Sequence, residues 1–103
     1  MSVTHPAVRS VTAPNELGLD TRVSFREAAF AELAMLAEGG VLRVELGMTR
    51  RVDSAGLSAL ILIQRHAAER RQRVVLQDAS EEFRYLLVLT ELANLFELEP
   101  RPA

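Results

Sequence analysis

The residues with the clearest chemical potential stand together in residues 51–57, which read RVDSAGL. An aspartate, Asp53, directly precedes a serine, Ser54, and two small residues, Ala55 and Gly56, follow. A hydroxyl beside a carboxylate can cap a helix, attack a substrate as a nucleophile or accept a phosphate. The surrounding pattern must decide among these three roles.

Helix capping is the simplest of the three interpretations. Asp53 and Ser54 are both residue types that favour the N-cap position, where a lost cap costs about 1 kcal/mol. The small residues Ala55 and Gly56 would then allow the start of the helix to pack closely against a strand. On this interpretation the segment has a purely structural role.

Nucleophilic catalysis by Ser54 finds no support in the sequence. The elbow pattern G-x-S-x-G is not met, because Val52 stands where its first glycine would be. His66 lies twelve residues further along the same predicted helix, which places it about 18 Å away. The other histidine, His5, lies close to the N-terminus. We therefore predict no catalytic residue and no enzymatic activity.

Phosphorylation of Ser54 would fit a regulatory role. A phosphate adds about −1.5 to −2 charges, and at a helix N-terminus it would meet free N–H groups and the positive end of the helix dipole. Asp53 would repel the phosphate, whereas Arg50 and Arg51 could offset that repulsion. Such a modification would change the surface of the domain without unfolding it, as a switch requires.

The elements that position this segment alternate between strands and helices. Hydrophobic patterning predicts the strands and helices in the following order: strand 7–13, a short strand 17–20, helix 24–38, strand 41–46, loop 47–53, helix 54–71, strand 73–78, a helix capped by Ser80, and a helical turn with an edge strand within 91–98. This alternation favours an α/β fold with a largely parallel sheet and right-handed crossovers.

The boundaries of the first helix follow from its terminal residues. Ser24 and Glu27 have the spacing of a capping box, and the pair Gly39–Gly40 is typical of the end of a helix. An apolar face on this helix indicates the side that packs on the core. It consists of Phe25, Ala29, Leu33 and Leu36.

Composition limits the classes of function further. The 103 residues fit one domain, and the absence of cysteine excludes disulfides and thiolate metal sites. The net charge of −2 gives no general attraction to nucleic acid, and the arginines at 65, 70, 71 and 73 fit a solvated helix end better than a docking site for acidic partners or RNA. We find no metal-ligand spacing and no phosphate-binding loop, so we predict no metal and no cofactor.

The apolar segment LSALILI is shorter than the roughly 20 residues that a membrane-spanning helix needs. The first ten residues show no basic segment followed by an apolar one, which a signal peptide would have. We therefore expect a cytoplasmic protein without direct membrane insertion.

Several motifs, taken in order, resemble the STAS domain of bacterial anti-sigma factor antagonists. That family has D-L-S followed a few residues later by I-D-S-S-G-L; here Glu45-Leu46-Gly47 and Val52-Asp53-Ser54-Ala55-Gly56-Leu57 resemble these two motifs, with four residues between them. GLD at 18–20, LQDAS at 76–80 and LVLTELANLFEL at 87–98 resemble further segments of the family. The resemblance covers about residues 7–98.

The resemblance implies a fold and a mechanism. The fold would be a STAS domain at 7–98, with a four- to five-stranded mostly parallel sheet and about four helices, flanked by a flexible N-terminus at 1–6 and a tail at 99–103. The unphosphorylated domain would bind an anti-sigma factor, a serine kinase of the GHKL type, which phosphorylates the serine matching Ser54. A phosphatase would reverse the modification. The implied partner-binding residues are Arg50, Arg51, Asp53, Ser54, Ala55, Gly56 and Leu57.

The segment RVDSAGL also resembles the MlaB-like STAS subunits of phospholipid-transport ABC complexes. In those complexes the domain binds the ATPase subunit, and phosphorylation is not implied. Three features depart from the anti-sigma factor antagonist pattern: Arg50 and Arg51 stand where at least one apolar residue is usual, Ala55 replaces a second serine, and the N-terminal hairpin is short. The genes that neighbour this one would separate the two alternatives.

Overall fold

A computed structural model describes residues 7–99 of the chain. The strands are β1 (Val8–Thr12), β2 (Glu16–Leu17), β3 (Val41–Glu45), β4 (Arg51–Val52), β5 (Arg73–Gln77) and β6 (Glu97–Leu98). The helices are α1 (Arg22–Ala34), α2 (Ser54–Glu69), α3 (Glu81–Leu89) and a 3-10 turn (Ala93–Leu95). The predicted α/β class is confirmed.

Four of the strands form one parallel sheet in the order β1-β3-β5-β6. β3 lies between β1 and β5, and β6 forms an edge. β2 and β4 form a separate parallel pair. This pair holds the chain just before the start of α2.

The core lies on one face of the main sheet. Leu42 and Val44 on β3 stand opposite Val74 and Leu76 on β5, and all four are buried. The predicted apolar face of α1 is buried in the same cluster, together with residues of α2 and α3. Side chains on the other face of β3 are only half-buried.

Ion pairs cover part of this second face of the sheet. A nitrogen of Arg43 lies 2.7 Å from a carboxylate oxygen of Glu99, and one of Arg73 lies 2.6 Å from Glu97. Glu99, which was predicted to begin the tail, also donates its backbone N–H to the carbonyl of Leu76. The ordered fold therefore extends at least to residue 99, while the predicted flexible segment 1–6 and the rest of the tail lie outside the described residues.

The predicted capping box of α1 is wrong. The helix begins at Arg22 and its N-cap is Thr21, so Ser24 lies exposed inside the first turn. The backbone turn at Gly18 starts the helix early, because the N–H of Arg22 donates to the Gly18 carbonyl at 2.8 Å. The Thr21 hydroxyl accepts from the Gly18 N–H at 3.0 Å and donates to the Glu16 carbonyl at 2.8 Å, which fixes this turn.

The end of α1 also differs from the prediction. The helix ends at Ala34, before the glycines at 39 and 40. A buried side chain, Gln72, donates from its amide to the carbonyls of Leu33 and Leu36 at 3.0 and 2.9 Å. Gln72, which is distant in sequence, thus supplies hydrogen-bond donors for carbonyl groups at the end of α1. Gly39 instead forms a left-handed position, with φ +85°, in the connection to β3.

The sequence predicted that residues 47–53 form a loop, but part of this segment is a strand. Arg51–Val52 forms β4, and the N–H of Arg50 donates to the Asn15 carbonyl at 2.7 Å. The short strand expected at 17–20 is displaced to Glu16–Leu17, since Gly18 begins the turn into α1. The expected helical turn and edge strand within 91–98 are confirmed.

Candidate functional site

Asp53, rather than Ser54, caps α2. It follows β4 in an extended conformation, and its Oδ1 accepts a hydrogen bond from the Gly56 N–H at 2.9 Å. This bond satisfies one of the N–H groups that a helix start leaves without a partner. The structure therefore resolves the capping alternative in favour of the aspartate.

The same carboxylate also joins the helix start to the turn before α1. Oδ2 of Asp53 accepts from the Leu19 N–H at 3.3 Å. A Cβ atom at Gly18 would lie 2.4 Å from that oxygen, so only glycine leaves room for the carboxylate. Gly18 is a functional position that the capping argument missed, although the GLD motif at 18–20 marked its location.

The electrostatic environment favours the ionised form of Asp53. The pKa of its carboxyl lies below the ordinary value, first because the Gly56 N–H donates to it and also because of the N–H groups of Leu19 and Ala55 and the charge of Arg22. Partial burial acts in the opposite direction. A fixed negative charge therefore stands beside Ser54.

Ser54 is the first residue of α2 and its side chain is exposed. Within residues 7–99, its hydroxyl takes part in no side-chain hydrogen bond of the fold. The expected phosphate cradle of free N–H groups is partly occupied, because Asp53 already accepts from the Gly56 N–H. A phosphate on Ser54 would therefore add its charge to the solvent-facing surface next to the Asp53 carboxylate.

Gly56 contributes to this site by packing. It is buried, and a Cβ atom there would lie 2.0 Å from the Leu17 carbonyl oxygen. Because Gly56 has no side chain, α2 can start directly against β2, as the small residues Ala55 and Gly56 had predicted. Ala55 and Leu57 are half-buried on either side of it.

Exposed charged and apolar side chains lie in the segments that precede α2 and α1. Arg50 and Arg51 are exposed and form no ion pair with any other described residue. Leu19, whose N–H contacts Asp53, is 67% exposed, and Met48 in the preceding loop is 53% exposed. Leu19 and Arg51 line one pocket together with Asp53, whereas Met48 lines another pocket, against α1. Exposed apolar and basic side chains of this kind are suited to contact with another protein.

No group of three or more His, Cys, Asp or Glu side chains within residues 7–99 could hold a metal ion. In the same part of the chain, every helix is too short or too polar to cross a bilayer.

A parallel sheet with helices packed on it is an arrangement shared with known domains. The chain belongs to the STAS domain family: the family model described as "Mlab, STAS domain" matches residues 5–98. Domains of this family are binding and regulatory modules, and they generally bind partner proteins. A comparison with curated protein sequences finds no significant match.

Two solved structures share this fold. One is a protein from Thermotoga maritima with a provisional assignment as an anti-sigma factor antagonist; it is 20% identical, with a TM-score of 0.71, over 86% of this chain and 77% of that one. The other is a sulfate transporter family protein from Wolinella succinogenes; it is 15% identical, with a TM-score of 0.68, over 90% of this chain and 74% of that one. Both likenesses confirm the fold that the sequence motifs predicted.

Proposed function

We propose that this domain is an anti-sigma factor antagonist, a protein-binding module that phosphorylation of Ser54 switches off. The observation that carries the proposal is that Asp53 caps α2, which leaves the Ser54 hydroxyl exposed and without a structural task. A side chain in that position can be modified without breaking a contact of the fold.

In the proposed cycle the unphosphorylated domain binds an anti-sigma factor of the GHKL serine kinase type. The partner contacts are Arg50, Arg51, Asp53, Ser54, Ala55 and Leu57, and the buried Gly56 holds the start of α2 in place. The kinase transfers a phosphate from ATP to Ser54, and a phosphatase later removes it.

The effect of the phosphate follows from its charge. About −1.5 to −2 charges would be added beside the Asp53 carboxylate, on a surface that must meet the partner closely. The fold would tolerate the phosphate because negative charge near a helix N-terminus is favourable. Phosphorylation would thus weaken partner binding without unfolding the domain.

An intact-mass assay tests the phosphorylation step. The domain is incubated with ATP and the serine kinase encoded nearest to its gene, beside the variants Ser54→Ala and Ser58→Ala. We expect one added phosphate on the unaltered domain and on Ser58→Ala, and none on Ser54→Ala. Ser58 is a suitable control because it is also exposed, one turn further along α2. A phosphate retained by Ser54→Ala would contradict the assignment.

A second candidate function is that of an MlaB-like subunit of a phospholipid-transport ABC complex, bound to the ATPase subunit. The description of the matching family model favours this candidate. The same surface around α2 would then be a permanent interface. Copurification with an ATPase encoded nearby, unaffected by incubation with kinase and ATP, would support this function over the first.

A further inference from the structure

A cleft separate from Ser54 lies between the segment 47–52 and the start of α3. Its volume is about 380 Å³, which is within the size range of small-molecule sites. It opens beyond the carboxyl ends of β3 and β5, since Leu46 follows one strand and Ser80 lies shortly after the other. Ser54 does not line it.

The lining combines an apolar floor with a basic rim. The floor consists of Leu46, Val52, Phe83 and Leu86. Arg50 and Arg51 stand on the rim against a single carboxylate, that of Glu82, so the cleft carries an excess of positive charge. This arginine pair is also one of the three features that depart from the anti-sigma factor antagonist pattern.

Three polar groups at the cleft have unused hydrogen-bonding capacity. The Thr49 hydroxyl oxygen is buried and has no hydrogen-bond partner among residues 7–99. The guanidinium groups of Arg50 and Arg51 form no ion pair within the same residues. A planar guanidinium fork is well matched to carboxylate and phosphate oxygens.

We propose that this cleft binds a small organic anion, in which a carboxylate or phosphate group is joined to an apolar body. The anionic group would lie between Arg50 and Arg51, and the apolar body would contact Phe83 and Leu86. The site is additional to the proposed switch at Ser54. Its test uses the isolated domain without kinase or partner, so either proposal can fail without the other.

The test is a titration of the ¹⁵N-labelled domain followed by NMR. Three probes are compared: phenyl phosphate, phenylacetate and inorganic phosphate. We expect at least one of the two aromatic anions to shift the amide signals of residues 46–52 and 80–86, and to bind at least about tenfold more tightly than inorganic phosphate. Phenyl phosphate and phenylacetate together show which anionic group the cleft favours.

Matched charge variants make the result specific to the cleft. Arg50→Ala/Arg51→Ala should weaken binding by at least about tenfold, and Glu82→Gln should strengthen it. Arg65→Ala/Arg70→Ala removes the same charge at the far end of α2 and should leave the affinity unchanged. Equal weakening by both double variants, or no shifts at the cleft with either aromatic anion at about 10 mM, would overturn the proposal.

Discussion

At the scale of single residues, Asp53 and Ser54 divide two tasks between adjacent positions. Asp53 holds the structure by accepting from the N–H groups of Gly56 and Leu19. Ser54 makes no such contact and faces solvent. Because the structural role falls on the aspartate, the proposed modification of the serine would break no side-chain hydrogen bond among residues 7–99.

The dependence of folding stability on pH should include a contribution from the ionisation of Asp53. Its pKa is lowered in the folded state, so its charge stabilises the fold above the unfolded-state pKa of about 3.9, and this contribution is lost as the pH falls through the folded-state pKa. Asp53→Asn keeps an acceptor for the Gly56 N–H but cannot titrate.

Urea unfolding of the unaltered domain and of Asp53→Asn, at several pH values between 6 and 3, measures this effect. We expect the unaltered domain to be the more stable at pH 6 and its advantage to shrink toward pH 3. An advantage that stays constant over this range would show that the Asp53 charge does not contribute.

Gly56 should be the least replaceable residue of the site. Gly56→Ala would place a methyl group 2.0 Å from the Leu17 carbonyl oxygen, so the start of α2 would have to move. Overpacking of this kind costs about 1–3 kcal/mol. Gly47→Ala is the matched control, because its nearest atoms would lie at an ordinary 3.6 Å.

The measurement for these two variants is the free energy of unfolding in urea. We expect a clear loss for Gly56→Ala and a change within about 0.5 kcal/mol for Gly47→Ala. Equal stability of both variants would mean that the close contact between α2 and β2 is not needed.

At the scale of elements, helix caps distinguish what the sequence could and could not predict. Ser80 was predicted to cap α3, and its hydroxyl accepts from the Phe83 N–H at 3.0 Å. Ser24 had equally good spacing but does not cap α1, because the turn at Gly18 moves the N-cap three residues earlier, to Thr21. Spacing alone cannot detect such competition from a neighbouring turn.

These two serines provide a direct test. Ser80→Ala should lower the free energy of unfolding by about 1 kcal/mol, whereas Ser24→Ala should change it by less than about 0.5 kcal/mol. Thermal and urea unfolding of both variants measure the difference. If Ser24→Ala lowered the free energy of unfolding more than Ser80→Ala did, the result would contradict the structure and support a capping box at Ser24.

Short strands and helix ends are also difficult to predict from local sequence, whereas long elements are not. The regular elements β3, α2 and β5 have long apolar patterns, so they could be predicted closely. β2 and β4 have two residues each and depend on backbone bonds between distant segments. Arg71 and Glu91, which follow the ends of α2 and α3, have a left-handed backbone conformation. Glycine is the usual residue at such positions, so these two helix ends lack the usual sequence signal.

The part of the candidate site that is formed by one short sequence motif could be predicted. The spacing of Asp53, Ser54 and Gly56 indicated the start of a helix packed against a strand, and the structure places these residues there. The contact of Asp53 with Leu19, and the need for glycine at position 18, arise from segments more than thirty residues apart. No local pattern could show that contact.

At the scale of the whole molecule, the functional features gather at one end. The loop 47–53 follows β3, and the turn before α1, the start of α2 and the cleft beside α3 all adjoin it. The helices and the core on one face of the sheet hold this end in place. Changes at Ser54 should therefore alter docking while the body of the domain stays the same.

The most direct test of this claim is the affinity of three variants for the anti-sigma factor encoded near the gene, measured by titration calorimetry. We expect Ser54→Ala to bind like the unphosphorylated domain, and Ser54→Glu to stay folded but bind at least about tenfold more weakly, a loss of about 1.4 kcal/mol. Ala68→Glu, with the same charge at an exposed position near the far end of α2, should bind nearly normally. Equal binding by Ser54→Ala and Ser54→Glu would contradict a switch at Ser54.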